Sequence, residues 1–496
     1  MLPRATLQKV LSAAATLPIP NIPNIPRLFG PSLSPGAAIY LASEPNYTSH
    51  VSQRWTSHKA PSFIATIQPA TIGDVQNTVK IASAHSIPFL ATGGGHGVSV
   101  QMADLQDGIQ IDLRRFNHVE FDVETQRLTV GGSTIFSQLI EPLSASGAQF
   151  PLGTAYCVGV VGATLGAGVS ANQGYAGLLS DLLEEVQLVT AAGVSVTASR
   201  TENEDLFWAI RGAGANFGIV TSATYKVPPP VNSGNVTNAN FFFPEGKAQD
   251  VFEYIQSLDD GMSERLAFNI AIYFDRNAQE IALLVNVNFF GSVGVAARHI
   301  EPLIALHPSR FEVLDVPWPA VFATSYFGIE DTKACSRNQH VNMRSVGARS
   351  TNPQIWLQFL QEMKSFSRSH RDIEASLVIH RFATQQVLQV PDEDSAYPHR
   401  HLKMHIQLET QYHDRSHDDV VDAFLNAARH NLTAASGFDS PVVYVNFAHG
   451  DEGVEAWYGA RNVEKLARAK QKWDPNGLFN FYNALRPRYF SDITEL

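Results

Sequence analysis

Cysteine is nearly absent. The 496 residues hold two, Cys157 and Cys335. That excludes a disulfide-rich scaffold, and with no CxxC pair there is no zinc-knuckle or thioredoxin-like motif. Cys157 reads as a small buried residue in a tight loop, Cys335 has no assignable role, and no metal site is expected. Basic residues are also in deficit: Lys and Arg number 36 against 47 Asp and Glu, a net charge of −11. An acidic chain without a dense Lys/Arg run argues against a nucleic-acid partner. No run of about 18 apolar residues occurs, so no membrane span is expected. Neither GxGxxG nor the GxxxxGK phosphate loop is present, which removes support for a nicotinamide Rossmann fingerprint and for a P-loop ATPase. Internal repeats and low-complexity tracts are missing too.

What is present is globular: 44% hydrophobic, 10% aromatic and 17% charged residues. At roughly 100–200 residues per domain, the length predicts two or three domains. The N-terminus is open to two readings. Arg4 and Lys9 precede a short apolar stretch, Val10 to Leu17, as in a secretory signal, but Ser12 interrupts it. The alternative is an arm running into Pro20, Pro23 and Pro26, which favour an extended segment. Compartment therefore stays open between cytoplasmic, slightly favoured, and secreted. The sequons at Asn46, Asn235 and Asn431 do not settle it.

Periodicity then gives elements. Thr71 caps a helix with Val75, Val79 and Ala82 at helical spacing. Strands are predicted at 87–91, 109–113, 119–123, 127–130, 185–190, 194–198 and 219–227, with helices at 134–143 and around 205–209. Pro228-Pro229-Pro230 marks a domain exit. Beyond it, strands at 266–274, 281–290, 375–382 and 402–408 alternate with helices at 353–366 and 418–428, and a last helix covers 462–472. Strands and helices in separate runs suggest an antiparallel sheet with helices on one face.

Two glycine clusters stand out, Thr92-Gly93-Gly94-Gly95-His96-Gly97 and Gly153 through Gly177. Glycine loops at strand ends bring backbone N–H groups close to phosphate. Each cluster alone reads first as tight turns; two in one domain suggest an extended anionic ligand such as a dinucleotide diphosphate. His96 leaves a strand between glycines. It is either a solvated loop histidine or an unhindered neutral imidazole able to act as a nucleophile.

The chain resembles the berberine-bridge-enzyme-like FAD-linked oxidases, with the vanillyl-alcohol-oxidase (PCMH) type of FAD-binding domain. The resemblance covers about 55–490. It rests on the His96 loop, Val158-Gly159-x-x-Gly162, Leu206–Gly212 with Asn216–Val220, Tyr397-Pro398-His399-Arg400, Tyr444-Val445-Asn446-Phe447, and Asp474-Pro475 through Asn483. It implies an α+β fold: an N-terminal arm (1–50), a two-subdomain FAD-binding domain (51–232), a substrate domain on a large antiparallel sheet (233–440), and a C-terminal segment (441–496) returning to the FAD domain. It implies FAD joined covalently through His96. Thr92, Gly93, Gly94, Gly95, Gly97, Gly153, Thr154, Val158, Gly159, Gly162, Gly166, Ile219, Val220, Asn446 and Asn483 complete the cofactor site. The cysteine of doubly tethered relatives is replaced by Ala155, so one tether is expected. Val158 matches a gate for O₂.

The segment 401–409 alternates strictly. Leu402, Met404, Ile406 and Leu408 form one face; His401, Lys403, His405, Gln407 and Glu409 form the other. That polar face is either solvated, a metal site, or, as the resemblance implies, the face turned to substrate. Some relatives carry a glutamate base where Gln407 stands. Glutamine accepts no proton, so His405 becomes the expected base and Tyr482 the reserve. The expected activity is hydride transfer from an organic small molecule, a secondary-metabolite intermediate, to FAD, with O₂ reoxidation to H₂O₂, in a monomer. Oxidation of a sugar at its anomeric carbon and a redox-silent cyclase are the alternatives.

Overall fold

The computed structural model describes residues 23–329 and 332–486. The stretch 10–17 lies outside them. Pro26 sits in the first turn of a short helix, Ile25–Phe29, capped by Asn24, rather than in an extended segment. That is the helical position at which proline's missing N–H is not needed. Ile25 and Phe29 are buried against the first sheet.

The fold is α+β with three sheets. The first holds β1 (Ala38–Leu41), β2 (Phe63–Gln68), β3 (Phe89–Thr92) and β4 (Gly108–Asp112) in the order β1-β2-β4-β3. Its edge strand β1 comes from within the expected N-terminal arm. The second holds β5 (Val119–Asp122), β6 (Arg127–Gly131), β7 (Leu183–Val189), β8 (Ser195–Ser199) and β9 (Ile219–Lys226), ordered β5-β6-β9-β7-β8. The expected helix after Thr71 runs Ile72–Ala84 and carries a reciprocal cap: the Asp74 N–H donates to Thr71 Oγ1, and the Thr71 N–H donates to Asp74 Oδ2.

The third sheet is fully antiparallel. It holds β10 (Asn235–Pro244), β11 (Leu266–Asp275), β12 (Glu280–Phe289), β13 (Arg310–Pro317), β14 (Val341–Ala348), β15 (Glu374–Phe382) and β16 (Met404–Gln411), ordered β13-β10-β12-β11-β15-β16-β14. Four helices, Ala248–Ser257, Val293–Ala305, Pro353–Ser369 and Asp418–Ala434, cover one face. Phe252, Ile300, Trp356 and Leu425 meet Phe241, Ile270, Val285 and Ile406 there in one buried cluster.

The register sets the other face. His405 stands opposite His380 and Gly347, Gln407 opposite Val378 and Ser345, and Glu409 opposite Ser376 and Met343. A row of buried asparagines crosses the neighbouring strands. The Asn286 amide donates to Asn238 Oδ1 (2.6 Å) and Asn240 Oδ1 (2.8 Å), and Asn288 donates to Asn286 Oδ1. The Asn240 amide donates to the Thr324 carbonyl, and Asn240 Oδ1 accepts from the Tyr326 N–H.

The two cysteines, read from sequence as unrelated, form a disulfide across 178 residues of chain. It joins the loop before Val158 to the segment leading into β14. Among the described residues no helix is long and apolar enough to cross a membrane.

Candidate active site

Strand β3 delivers the segment 92–97 at its end. Thr92 is buried, and its hydroxyl accepts from the Gln110 amide at 3.1 Å. Gly94 lies against the second glycine loop so closely that a Cβ on it would stand 2.5 Å from the Gly159 nitrogen. Gly95 adopts φ +73°, the left-handed region where a side chain is strained.

His96 follows. Its ring stacks beside Trp55, centroids 6.0 Å apart. Burial, then the facing cations Arg337 and Arg54, push its pKa down to about 3, against a hydrogen bond donated to the Cys157 carbonyl. The imidazole is therefore neutral, and its Nε2 is buried without a hydrogen-bond partner. Arg54 and Arg337 also clamp the loop backbone, donating to Gly97 O at 2.5 Å and Gly94 O at 2.7 Å.

This loop is one wall of a cavity of about 980 Å³, and the polar face of the seven-stranded sheet is another. The cavity collects Thr92, Gly93, Gly94, Gly95, His96 and Gly97 from the first loop, and Gly153, Thr154, Ala155, Val158, Gly159, Gly162 and Gly166 from the second. Ile219, Val220, Asn446, Gln407 and Tyr482 line it as well. Gly166 has no room for a side chain because the Asn446 amide fills that space. That amide donates to the Ala163 carbonyl and to Tyr444 Oη.

Two expected residues stand elsewhere. Asn483 is fully buried behind the wall, donating to the Val445 carbonyl at 2.8 Å, with φ +43°. His405 is 3% exposed and does not line the cavity. Its ring packs edge-on against Tyr444 and Phe447, at 5.3 and 6.1 Å. Burial, with His380 and His399 nearby, pushes its pKa down to about 3. The expectation of a substrate-facing base with an ordinary imidazole pKa is therefore corrected: the ring sits behind an aromatic screen. Tyr482 does reach the cavity, but burial pushes its phenol well above the ordinary value, outweighing the nearby Arg54. It stays protonated at neutral pH and serves as a hydrogen-bonding group. The polar face is not solvated at this end either, since Gln407 is 8% exposed.

Several cavity residues escaped the sequence reading. Trp55 and Arg54, and Arg337 behind the His96 loop, carry no local motif. They arrive because 54–58 runs alongside 338–341, with the Ser57 N–H donating to Gln339 O and the Gln339 N–H to Trp55 O. Tyr444 and Phe447 were legible as part of the Tyr444–Phe447 motif, though without a role. Glu409 also lines the cavity, one step along the same strand face from Gln407.

Residues 63–199 match the family model described as "FAD binding domain", and 443–486 match "Berberine and berberine like". The FAD-linked oxidoreductase tazG of Aspergillus terreus is 42% identical over 479 residues, 96% of this chain and 97% of that protein. Among solved structures, Physcomitrella patens BBE-like 1 superposes with a TM-score of 0.81 at 20% identity, covering 94% of this chain and 99% of its own. A xylooligosaccharide oxidase from Myceliophthora thermophila C1, in complex with xylobiose, superposes with a TM-score of 0.78 at 24% identity, covering 93% and 99%.

Proposed function

We propose, on the premise that the chain belongs to the berberine-bridge-enzyme-like FAD-linked oxidoreductases, that it is an oxidase whose FAD is joined covalently through His96 alone. The observation that carries this reading is the neutral imidazole of His96, its Nε2 buried and unpartnered at the wall of the 980 Å³ cavity. A lone pair kept from protons and from hydrogen bonds is available to form a bond to carbon. The single tether is supported from the other side. Ala155 offers no thiol, and Cys157 is engaged with Cys335. The cradle fits a diphosphate: Gly94 and Gly159 touch backbone to backbone, so their N–H groups are not screened by side chains.

FAD held there supplies the acceptor for two electrons from the substrate, with O₂ as the final acceptor and H₂O₂ as product. The remaining work belongs to the chain. The mixed wall of Tyr326, Phe447, Val378 and Gln407 suits an aromatic or polycyclic small molecule, with the Gln407 amide orienting a hydroxyl or carbonyl. A proton must leave the substrate. Gln407 takes none, Tyr482 is already protonated, and His405 is screened. We assign the proton to Glu409, the carboxylate that shares the strand face with Gln407 and reaches the cavity. Val158, lining the cavity beside Gly159, sets the room left for O₂.

Acid-precipitated protein should be yellow, with the flavin on a peptide containing His96, and turnover of a phenolic or polycyclic substrate should release one H₂O₂ per product. Colourless precipitate would refute the tether. Product without peroxide would refute the oxidase in favour of a redox-silent cyclisation. Glu409→Gln should slow anaerobic flavin reduction by about 10²–10⁴, the usual contribution of a general base, whereas His405→Asn should not. The reverse order would refute the assignment.

A further inference from the structure

Away from the cavity, two imidazoles and a carboxylate converge. His58 Nδ1 lies 3.4 Å from His340 Nε2, and His340 Nε2 lies 3.1 Å from Asp418 Oδ1. Each of the three residues offers one ligand atom within 4.8 Å of the other two. His58 precedes β2, His340 leads into β14, and Asp418 opens the helix Asp418–Ala434. None of the three lines the cavity.

Hydrogen bonding accounts poorly for this group. His340 Nε2 carries at most one proton and faces both a carboxylate oxygen and a second ring nitrogen. If it donates to Asp418, the His58 contact either sets one N–H against another or splits one N–H between two acceptors. If it accepts from His58, its lone pair points at the carboxylate. The other ring nitrogen, His340 Nδ1, is buried without a partner. A cation at the centre removes the conflict.

The spacing has the right scale for one. Zinc bonds of about 2.0–2.1 Å arranged tetrahedrally put donor atoms about 3.3–3.4 Å apart. The observed 3.4 and 3.1 Å match that edge length. The ligating carboxylate has its own support, since the Tyr412 hydroxyl donates to Asp418 Oδ1 at 2.7 Å. The imidazoles are buried while the Asp418 side chain is 25% exposed. That open side gives a cation a route in and leaves a place for water as a fourth ligand.

We infer that His58, His340 and Asp418 form a structural site for a divalent first-row cation, zinc by donor set, that cross-links the segment before β2 to the substrate-facing sheet. Two nitrogens and one oxygen select such ions over calcium or magnesium. The site lies three residues from Trp55, which stacks on His96, and four from Arg54, which holds Gly97. The Thr56 hydroxyl donates to the Val341 carbonyl at 2.8 Å between them. The metal therefore reinforces the seam at which both walls of the cavity meet, and it takes no part in redox chemistry.

The test uses untagged full-length holoprotein purified without metal-affinity steps, stripped with EDTA and reloaded with zinc. Elemental analysis should give one tightly held zinc per chain, and reloading should raise the unfolding temperature. His58→Gln and Asp418→Asn should each lose the bound zinc and its thermal increment, and Tyr412→Phe should weaken zinc by about 10–100-fold, the usual cost of an outer-shell partner. Cobalt(II) loaded in place of zinc should give tetrahedral ligand-field bands at wavelengths longer than flavin absorption, so the site is read in wild type even if a variant fails to fold. Wild-type protein that retains no zinc, or whose unfolding temperature ignores both zinc and EDTA, would overturn the site. So would variants that hold as much zinc as wild type, or octahedral cobalt spectra.

Discussion

Cutting the bond between Cys157 and Cys335 should weaken the fold and loosen the loop under His96 together. The disulfide closes a loop across 178 residues. Chain entropy alone gives such a closure a ceiling of about 5 kcal/mol, and measured bridges more often give about 2–4 kcal/mol. Cys335→Ser and Cys157→Ser should therefore each lower the unfolding free energy by about 2–4 kcal/mol. The double variant should cost no more than either single, because one bond is lost in all three. Urea titration followed by tryptophan fluorescence, with and without reductant, measures this; wild type in reductant should fall to the variant curve. A local consequence accompanies it. The Cys157 carbonyl accepts from His96, and Ala334, beside Cys335, lines the cavity, so the variants should load covalent flavin more slowly. Quantitative alkylation of both thiols in unreduced protein, or additive losses in the double variant, would refute the pairing and the argument built on it.

Three further outcomes follow from the geometry. Gly94→Ala should abolish flavin loading, read as loss of yellow colour after acid precipitation, because its Cβ would stand 2.5 Å from the Gly159 nitrogen; retained colour would show that the loops separate freely. Val158→Leu should slow reoxidation by O₂ in stopped flow and leave anaerobic reduction unchanged, since one added methylene fills space at the cavity wall. Acid should destabilise the protein early. His380 and His405 are held neutral, their pKa values pushed down by burial to about 4 and about 3 from 6.5. The unfolded chain thus takes up protons first as pH falls below 6.5, and stability present above that value drops by about 1.4 kcal/mol per pH unit per histidine until each folded-state pKa is reached. A urea midpoint flat between pH 6.5 and 4 would contradict this.

Much of the fold was legible because its elements obey simple patterns. The Thr71 cap, the strands around 266–290 and the alternation from Met404 to Glu409 announce themselves through one residue's chemistry or a period of two. What stayed hidden disobeys those patterns. Strand β10 carries asparagines at 238 and 240, residues disfavoured in strands, because a buried amide network satisfies them. Strand β14 hides a buried Arg344, held by Asp422 and Asn426, in what reads as a polar segment. At the site, the glycine loops and His96 were readable because tight turns demand glycine. The screening of His405 was not: period two tells which face a residue takes, while the aromatic side chains of Tyr444 and Phe447, folded over that face from the C-terminal segment, decide whether it meets the cavity. The cysteine pairing and the 54–58/338–341 seam are long-range, and nothing local encodes them.

The asparagine row has a consequence for how such a cavity diversifies. Tyr326 and Phe327 both hold left-handed backbone, φ +53° and +63°, a conformation costing about 1–3 kcal/mol each. The row fastens this turn through main-chain atoms at the Thr324 carbonyl and the Tyr326 N–H, and through the Thr324 hydroxyl, which accepts from the Asn238 amide at 2.7 Å. At position 326 the mount grips the backbone and is indifferent to the side chain displayed there. Tyr326 and Ile329, both at the cavity, can change under selection for a new substrate without breaking the row's own hydrogen bonds, whereas each amide lost behind them strands its buried neighbours. Such a fold can exchange its substrate without relearning how to fold.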